Sequence, residues 1–451
     1  MGNFKFCTFT QNYNSLISWS FEIPAYAYCQ PLPHIKKESN MRKIGIIILI
    51  VSIFSKLYGQ TENYKRLGLD AFDNENYPLA IGYMQKALET NPNDKEIYYY
   101  LGYYIHYNAY DSRPLKGYDL NYSDTVLYYF KKALELDPNY GDAKYFYTAE
   151  CGANAMYSLQ QKDYENLRQY YKKAFEIGGF PKWSIEYGKL LLSQVENNGI
   201  LFTHGDFQLN ICWYLQFCEN YRTDISVIPL VILNRPFFVK EIKNSELIKP
   251  VKLGISDDEI FNMRPYKWKE TTIEIPIPND LITEYKLDTN YMSWTVSPDL
   301  KGVRDYLSCE RAFLLEIVES NNWERPIYWT LGMDNRYLGG LDSYSSYKGL
   351  VYKLLPFKTS GTEYELDISS LINLVEKNNF KDYKSILESN QPRISGIVLY
   401  SYANSMIQLA INYKENKQID KIDNLIDLYE SNFKIGLYPE YEDNYLNLIK
   451  E

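Results

Sequence analysis

The chain has 451 residues, 45% hydrophobic and 23% charged, the balance of a globular protein long enough for two or three domains. A net charge of −9 argues against a basic nucleic-acid surface, so no nucleic-acid partner is expected. Three histidines, His34, His106 and His204, cannot build a histidine-rich metal site. No nucleophile elbow, phosphate-binding loop, dinucleotide fingerprint or Cys-x-x-Cys pair occurs, so neither a cofactor nor a metal is expected.

Residues 1–40 show no steady hydrophobic period and read as a non-native upstream extension. From Met41 the layout changes. Arg42 and Lys43 precede an apolar run, Ile44 to Phe54, and Leu57-Tyr58-Gly59 stands before Gln60. This is the pattern of a secretory signal peptide over 41–59, with cleavage near Gly59/Gln60. The run is too short for an ordinary spanning helix of about 20 residues. The mature chain is therefore expected to be periplasmic or secreted, with no transmembrane helix. It keeps Cys151, Cys212, Cys218 and Cys309, which read as buried free thiols, with two long-range disulfides as the alternative.

Residues 60–198 read as tetratricopeptide-like helical repeats. In the first unit, Tyr64, Leu67, Gly68, Ala80, Met84, Ala87 and Pro92 fall at the spacings of a 34-residue repeat. The physical logic is packing: Gly68, Ala80 and Ala87 let two helices approach, larger residues fill the gap, and proline ends the second helix. A second unit closes with Phe130, Ala133 and Pro138, after an insertion of about 12 residues relative to that period, around "AYDSRPLKGYDL". A third, weaker unit covers roughly 140–180, and "PKWSIEYGKLLLSQVENN" adds a last helix. The aromatic run Tyr98 to Tyr107 reads as interior packing of the repeats. Such stacks present a concave surface to a protein partner.

After Asn198 the period shortens. "GILFT", "DISVIPLVIL" and "RPIYWT" read as three buried core strands, the second long, with helices between them. Strand followed by helix implies parallel pairing through right-handed crossovers. The fold expected is thus α/β plus all-α: helical repeats, a small parallel α/β domain over 199–360, and a C-terminal helical hairpin over 361–451.

Four segments of this half, "ILFTHGDFQLNICWYLQ" (200–216), "RTDISVIPLVILN" (222–234), "RPIYWT" (325–330) and "YLGGLDSYSSYKGLVYKLLP" (337–356), carry a family resemblance. The region from about 185 to 435 resembles the extracytoplasmic part of bacterial protein O-mannosyltransferase-like membrane proteins. The resemblance attributes glycosyl transfer to a membrane-embedded region, in whose place this chain has helical repeats. It therefore implies a soluble relative without the transferase part. The family loop carries two acidic residues; here Asp206 stands at the first and Gln208 at the second, and His204 replaces an asparagine.

Ligands of parallel sheets bind beyond the carboxyl ends of the strands. The ligand-binding candidates at the three ends are Thr203, His204, Gly205 and Asp206, then Asn234 and Arg235, then Thr330, Asp334 and Asn335. The bland alternative is structural: Asp206 caps a helix starting near Asn210, Gly205 permits a turn, and Asn234-Arg235-Pro236 is a cap with an ion pair. Trp213 and Tyr214 read as helix-core packing, and Arg325 as the partner of a carboxylate. The function expected is a non-catalytic scaffold of the cell envelope that binds a protein partner through its repeats. The alternatives are a carbohydrate-binding module using the rim around Asp206, and a hydrolase with Asp206 as base, His204 as acid or base and Arg235 as clamp. No residue is assigned a catalytic role with preference.

Overall fold

A computed structural model describes residues 58–111, 120–299, 305–359, 365–377, 383–389 and 391–432. The expectations for the extension 1–40, for the signal peptide up to residue 57, for most of the insertion (112–119) and for the chain beyond 432 lie outside these residues.

Six helices form the helical repeats: α1 (58–73), α2 (Tyr77–Thr90), α3 (Lys95–Asp111), α4 (Ser123–Leu136), α5 (Ala143–Gln160) and α6 (Tyr164–Glu176). Their starts and stops are local. Asn76 accepts from the Leu79 N–H at the start of α2, and Pro92 and Pro138 sit in the turns after α2 and α4. Their packing follows the small residues. A Cβ on Gly68 would lie 2.8 Å from Met84 Cε, and one on Gly102 would lie 3.1 Å from the Phe130 ring. Ala80, Met84, Ala87, Phe130 and Ala133 are fully buried, and Tyr64 stacks on Tyr83. Leu67 is half-buried. The aromatic run packs inward as expected: Tyr104 stacks on Phe72, and Tyr99 and Tyr103 meet Phe146 edge-on.

Then comes α7 (Lys182–Ser193), followed by β1 (Ile200–Thr203), α8 (Asp206–Glu219) and β2 (Ser226–Pro229). β2 is shorter than the apolar run implies. Proline has no N–H for the next ladder bond, and after Pro229 the chain winds into a 3-10 turn over Leu230–Asn234. α9 (Pro236–Asn244) and α10 (Asp257–Asn262) follow, the latter opened by a Ser256/Glu259 capping box. Two small antiparallel pairs come next, built from β3 (Tyr266–Lys267), β4 (Thr271–Pro276), α11 (Asn279–Tyr285), β5 (Tyr291–Val296) and β6 (Tyr306–Leu307); β4 pairs with β5, and β3 with β6. The chain continues through α12 (Cys309–Asn321), β7 (Ile327–Thr330), α13 (Asn335–Leu338), β8 (Ser345–Tyr347), β9 (Val351–Leu354), β10 (Glu365–Leu366), α14 (Ile368–Ile372) and α15 (Tyr383–Glu388). It closes with the expected hairpin, α16 (Pro392–Glu415) and α17 (Ile419–Asn432).

The main sheet has the order β10-β8-β9-β7-β1-β2. The three strands read from sequence lie side by side and pair in parallel, with Ile200 opposite both Ser226 and Ile327. All their residues are buried, as the continuous apolar runs require. The β8–β9 hairpin extends β7 in the antiparallel sense and makes the sheet mixed. α8 packs against α5, α6 and α7, so the helix layer of the sheet is also the last layer of the repeats. Trp213 and Tyr214 pack in this layer: Trp213 Nε1 donates to the Val227 carbonyl (3.1 Å), and Tyr214 stacks on Phe175 and Phe180. One continuous core runs from Val126 to Leu425, while α1–α3 enclose a smaller one around Met84, Leu101 and Tyr104.

At the amino edge of the sheet Arg325 departs from expectation. Among the described residues it has no direct carboxylate partner. It donates to the carbonyls of Asn198 (2.7 Å), Pro250 (2.7 Å) and Gly199 (2.9 Å) and to Ser226 Oγ (2.6 Å). Burial lowers its pKa to about 10, against the opposing pull of Asp224. The loops before β1 and β2 leave several carbonyls facing inward, and one guanidinium satisfies three of them. Arg222 does the same for Leu192, Val195 and Glu196 while pairing with Asp224. Among the described residues Cys151, Cys212, Cys218 and Cys309 are free thiols.

α16 has the length and apolarity to cross a membrane, a property the sequence reading did not give it. In the fold, 56% of its apolar stretch is buried inside the protein. Val398, Met406 and Leu409 enter the core, and Ser405 Oγ donates to the Gly349 carbonyl (3.1 Å) and meets Tyr347 Oη (3.1 Å).

Candidate functional site

The site begins where β1 ends. Thr203 is fully buried, His204 half-buried, and Gly205 and Asp206 are exposed. Gly205 has φ +79° and ψ 162°, a backbone that side chains rarely adopt, and it is itself the N-cap of α8. The helix therefore starts at Asp206 rather than near Asn210, and Asp206 is its first residue, not its cap. A carboxylate there faces the positive end of the helix dipole.

Gln208 ties α8 to the end of β7 and to α7. Its carbonyl accepts from Thr330 Oγ1 (2.7 Å), and its amide donates to Tyr187 Oη (3.3 Å) and the Leu331 carbonyl (3.4 Å). Thr330 Oγ1 in turn accepts from the His204 backbone N–H (3.2 Å). The glutamine at the second acidic position of the resembled motif is thus a structural clamp of α8 on β7 and α7. A carboxylate could not donate these two bonds.

A cavity of about 350 Å³ opens above these strand ends. On the sheet side it is lined by Thr203, His204, Gly205 and Asp206, by Pro229, Val231 and Ile232 beyond β2, and by Tyr337 beyond β7. All three strand ends contribute, but only at the first are the contributors those expected. Asn234 and Arg235 lie outside the lining, because the 3-10 turn carries the chain away from the end of β2; Arg235 caps α9, and its N–H donates to the Ile232 carbonyl (2.9 Å). Asp334 and Asn335 also lie outside. Asp334 caps α13 through the Arg336 N–H (2.9 Å) and pairs with the Arg336 guanidinium (2.8 Å), which holds its carboxyl below the usual range. Asn335 donates to Asp342 (3.3 Å). Thr330 is consumed by the Gln208 clamp.

The opposite wall comes from the repeats, which sequence reasoning did not connect to this site. It consists of Tyr145, Ala149, Gly152, Ala153 and Met156 on α5, with His106 on α3 and Leu209 and Asn210 on α8. His106 Nδ1 lies 2.9 Å from an oxygen of Glu150, which is fully buried. Asn210 accepts from Tyr171 Oη (3.1 Å). A Cβ on Gly152 would stand 2.1 Å from Asn210 Oδ1, so glycine there is what lets α8 close against α5. The signal available in the sequence was only a glycine and alanines on one helix face beside an isolated histidine.

Two polar atoms of the lining are buried with no hydrogen-bond partner among the described residues: Thr203 Oγ1 and His204 Nδ1. Burial lowers the pKa of His204, with Asp334 nearby opposing the shift, so its imidazole is neutral at pH 7. The Tyr337 ring lies 6.3 Å from the His204 ring.

The fold places the cavity where helical repeats meet the strand ends of a mixed sheet. Residues 184–263 and 269–373 match the family described as TMEM260-associated domain 2. The match runs from α7 to the region after β10, holds all four segments that carry the resemblance noted in the sequence, and leaves out the repeats. Its description names no activity. No curated protein matches the chain.

Proposed function

We propose that this is an extracytoplasmic, non-catalytic binding protein of the cell envelope that takes a polar ligand, a glycan unit, in the cavity at its strand ends. The observation that carries this reading is the pair of unpartnered buried atoms, Thr203 Oγ1 and His204 Nδ1, on the wall of that cavity. A buried polar atom without a partner costs about 1–3 kcal/mol, and a ligand offering donors and acceptors removes that cost. The hydrolase reading is weaker: its charge clamp, Arg235, stands outside the cavity lining. The test is a glycan array with the full chain, beside Thr203→Val and Asp206→Asn. Glycan binding weakened by both variants is the expected result; binding indifferent to both would sink the rim as the site.

A protein partner on the repeats is the second reading. It is favoured by large apolar side chains exposed there, among them Leu69, Leu79, Tyr128, Leu136 and Phe175. The tetratricopeptide reading is supported by the close seats of Gly68 and Gly102 described above. Capture from native envelope that disappears in a Leu79→Glu, Tyr128→Glu variant would support it, and capture unaffected by those changes would count against it. We hold α16 to be a core helix of an otherwise exported chain. Amino-terminal sequencing of the native protein is expected to begin at Gln60; an intact Met1 would contradict export by the 41–59 segment.

A further inference from the structure

We propose that the aromatic surface around Asp142, at the start of α5, is an arginine-reading seat for a partner protein, and that Arg393 of this same chain fills the seat until that partner arrives. This rests on the protein-partner reading above and adds where the partner docks and which side chain it presents.

The seat is built by packing. Phe146 is buried, its ring stacked on Phe130 (5.7 Å) and met edge-on by Tyr103 (4.9 Å) and Tyr99 (6.5 Å). Tyr145 meets it edge-on at 5.2 Å. Rings from α3 and α4 thus hold Phe146 in place whatever cation lies on it. Asp142 stands beside these rings with its side chain 20% exposed. It occupies the N-cap position of α5, where an aspartate ordinarily accepts from the backbone of the first turn. Its side chain makes no such capping bond and serves a guanidinium instead.

That guanidinium belongs to Arg393, in the first turn of α16. It lies 5.2 Å from the centre of the Phe146 ring and 5.5 Å from that of Tyr145, and its Nε donates to Asp142 Oδ2 at 3.4 Å. Two rings and a carboxylate around one planar cation suit arginine better than lysine, whose ammonium is a point charge that neither stacks nor forks. The bond to Asp142 is single and long, although a guanidinium can hold both oxygens of a carboxylate in parallel. Asp142 Oδ1 is buried and has no partner among the described residues. Arg393 therefore uses half of the acceptor, and an arginine arriving from outside can engage all of it.

The geometry also permits exchange. The Arg393 side chain is 45% exposed, so it can swing into solvent. Ile394 beside it is buried and keeps α16 anchored while the seat empties. A clasp serving only to fix α16 gains most from a buried, forked arginine, and Arg393 is neither. Arginine is also one of the side chains that most often carry the binding energy of protein interfaces.

The experiment is calorimetry and NMR titration on the full chain with an acetylated Gly-Arg-Gly amide, beside the same peptide carrying lysine or citrulline. Arg393→Ala empties the seat, and Arg393→Gln empties it while keeping part of the stem. The arginine peptide is expected to bind the emptied variant saturably, roughly tenfold or more tighter than it binds the parent chain, and tighter than either control peptide. Adding Asp142→Asn is expected to remove most of that gain. Equal binding to the parent and the emptied variant, or a gain indifferent to Asp142→Asn, overturns the seat and leaves Arg393 a structural clasp. Preference for the lysine or citrulline peptide overturns the arginine reading. Arg393→Gln decides if Arg393→Ala does not fold, and failure of both to fold also makes the residue a clasp. The envelope capture described above tests the partner reading by itself. Capture that depends on Leu79 and Tyr128, with no peptide bound by the emptied seat, overturns this inference and leaves that reading standing.

Discussion

Gln208 shows how far a single side chain can decide the chemistry of a loop. It is almost fully buried and makes three hydrogen bonds that join α8 to the end of β7 and to α7. Gln208→Glu is expected to destabilise the fold by roughly 2–3 kcal/mol, because it loses two donated bonds and buries a charge. Urea unfolding measures this; an unchanged midpoint would refute the clamp. His204 offers a titration test. Burial holds its folded pKa below the unfolded value of about 6.5. As pH falls through that value the unfolded chain takes the proton first, so this group costs stability progressively below about pH 6.5 and nothing well above it. Melting temperatures of the protein and of His204→Gln should therefore diverge between neutral and mildly acidic pH. Parallel curves would mean that the histidine is not desolvated. Arg325→Met is expected to cost roughly 3 kcal/mol or more, since it strips three inward carbonyls of their donor, again read by urea unfolding.

At the scale of elements, helix packing in the repeats depends on where glycine is needed. Gly102 sits against the Phe130 ring, whereas a Cβ on Gly82 in α2 would meet nothing within 4 Å. The same substitution should therefore have opposite signs. Gly82→Ala is expected to stabilise by up to about 1 kcal/mol, by relieving backbone entropy. Gly102→Ala is expected to destabilise by about 1 kcal/mol, because the ring must move. Thermal melts of the two variants decide it, and two stabilising outcomes would show that Phe130 yields freely. β2 teaches the complementary lesson. Its apolar run predicts a long strand, but Pro229 removes a ladder donor and the chain turns. That turn moves Asn234 and Arg235 off the rim and puts Val231 and Ile232 on it.

The molecule as a whole is organised by the contact of α8 with α5, α6 and α7. Gly188 seats Ile211 and Leu215, Gly152 seats Asn210, and the core from Val126 onward is shared. A fragment beginning at Lys182 would expose these faces. It is expected to be poorly soluble and to lose cooperative melting, as circular dichroism would show; a fragment that melts like the full chain would mean that the sheet domain is independent. The smaller core of α1–α3 should open first, with faster hydrogen exchange in α1 and α2 than in α5 or β1.

What the sequence determined by itself is what rests on local chemistry. Asn76, Pro92 and Pro138 set helix ends, and Gly68, Ala80 and Ala87 mark where helices approach. Apolar runs without alternation mark the three buried parallel strands, and Gly205 and Asp206 lie at a strand end as read. Tertiary structure alone decided the partners of polar groups far apart in the chain. Arg325 meets carbonyls near residues 198, 199 and 250, and Gln208 meets Thr330. His106, about a hundred residues before His204, faces the same cavity. The physical reason is that helix and strand formation depends on neighbours within a few residues. A hydrogen bond or a cavity wall depends on which distant surfaces the core brings together, and a single sequence carries no local trace of that meeting.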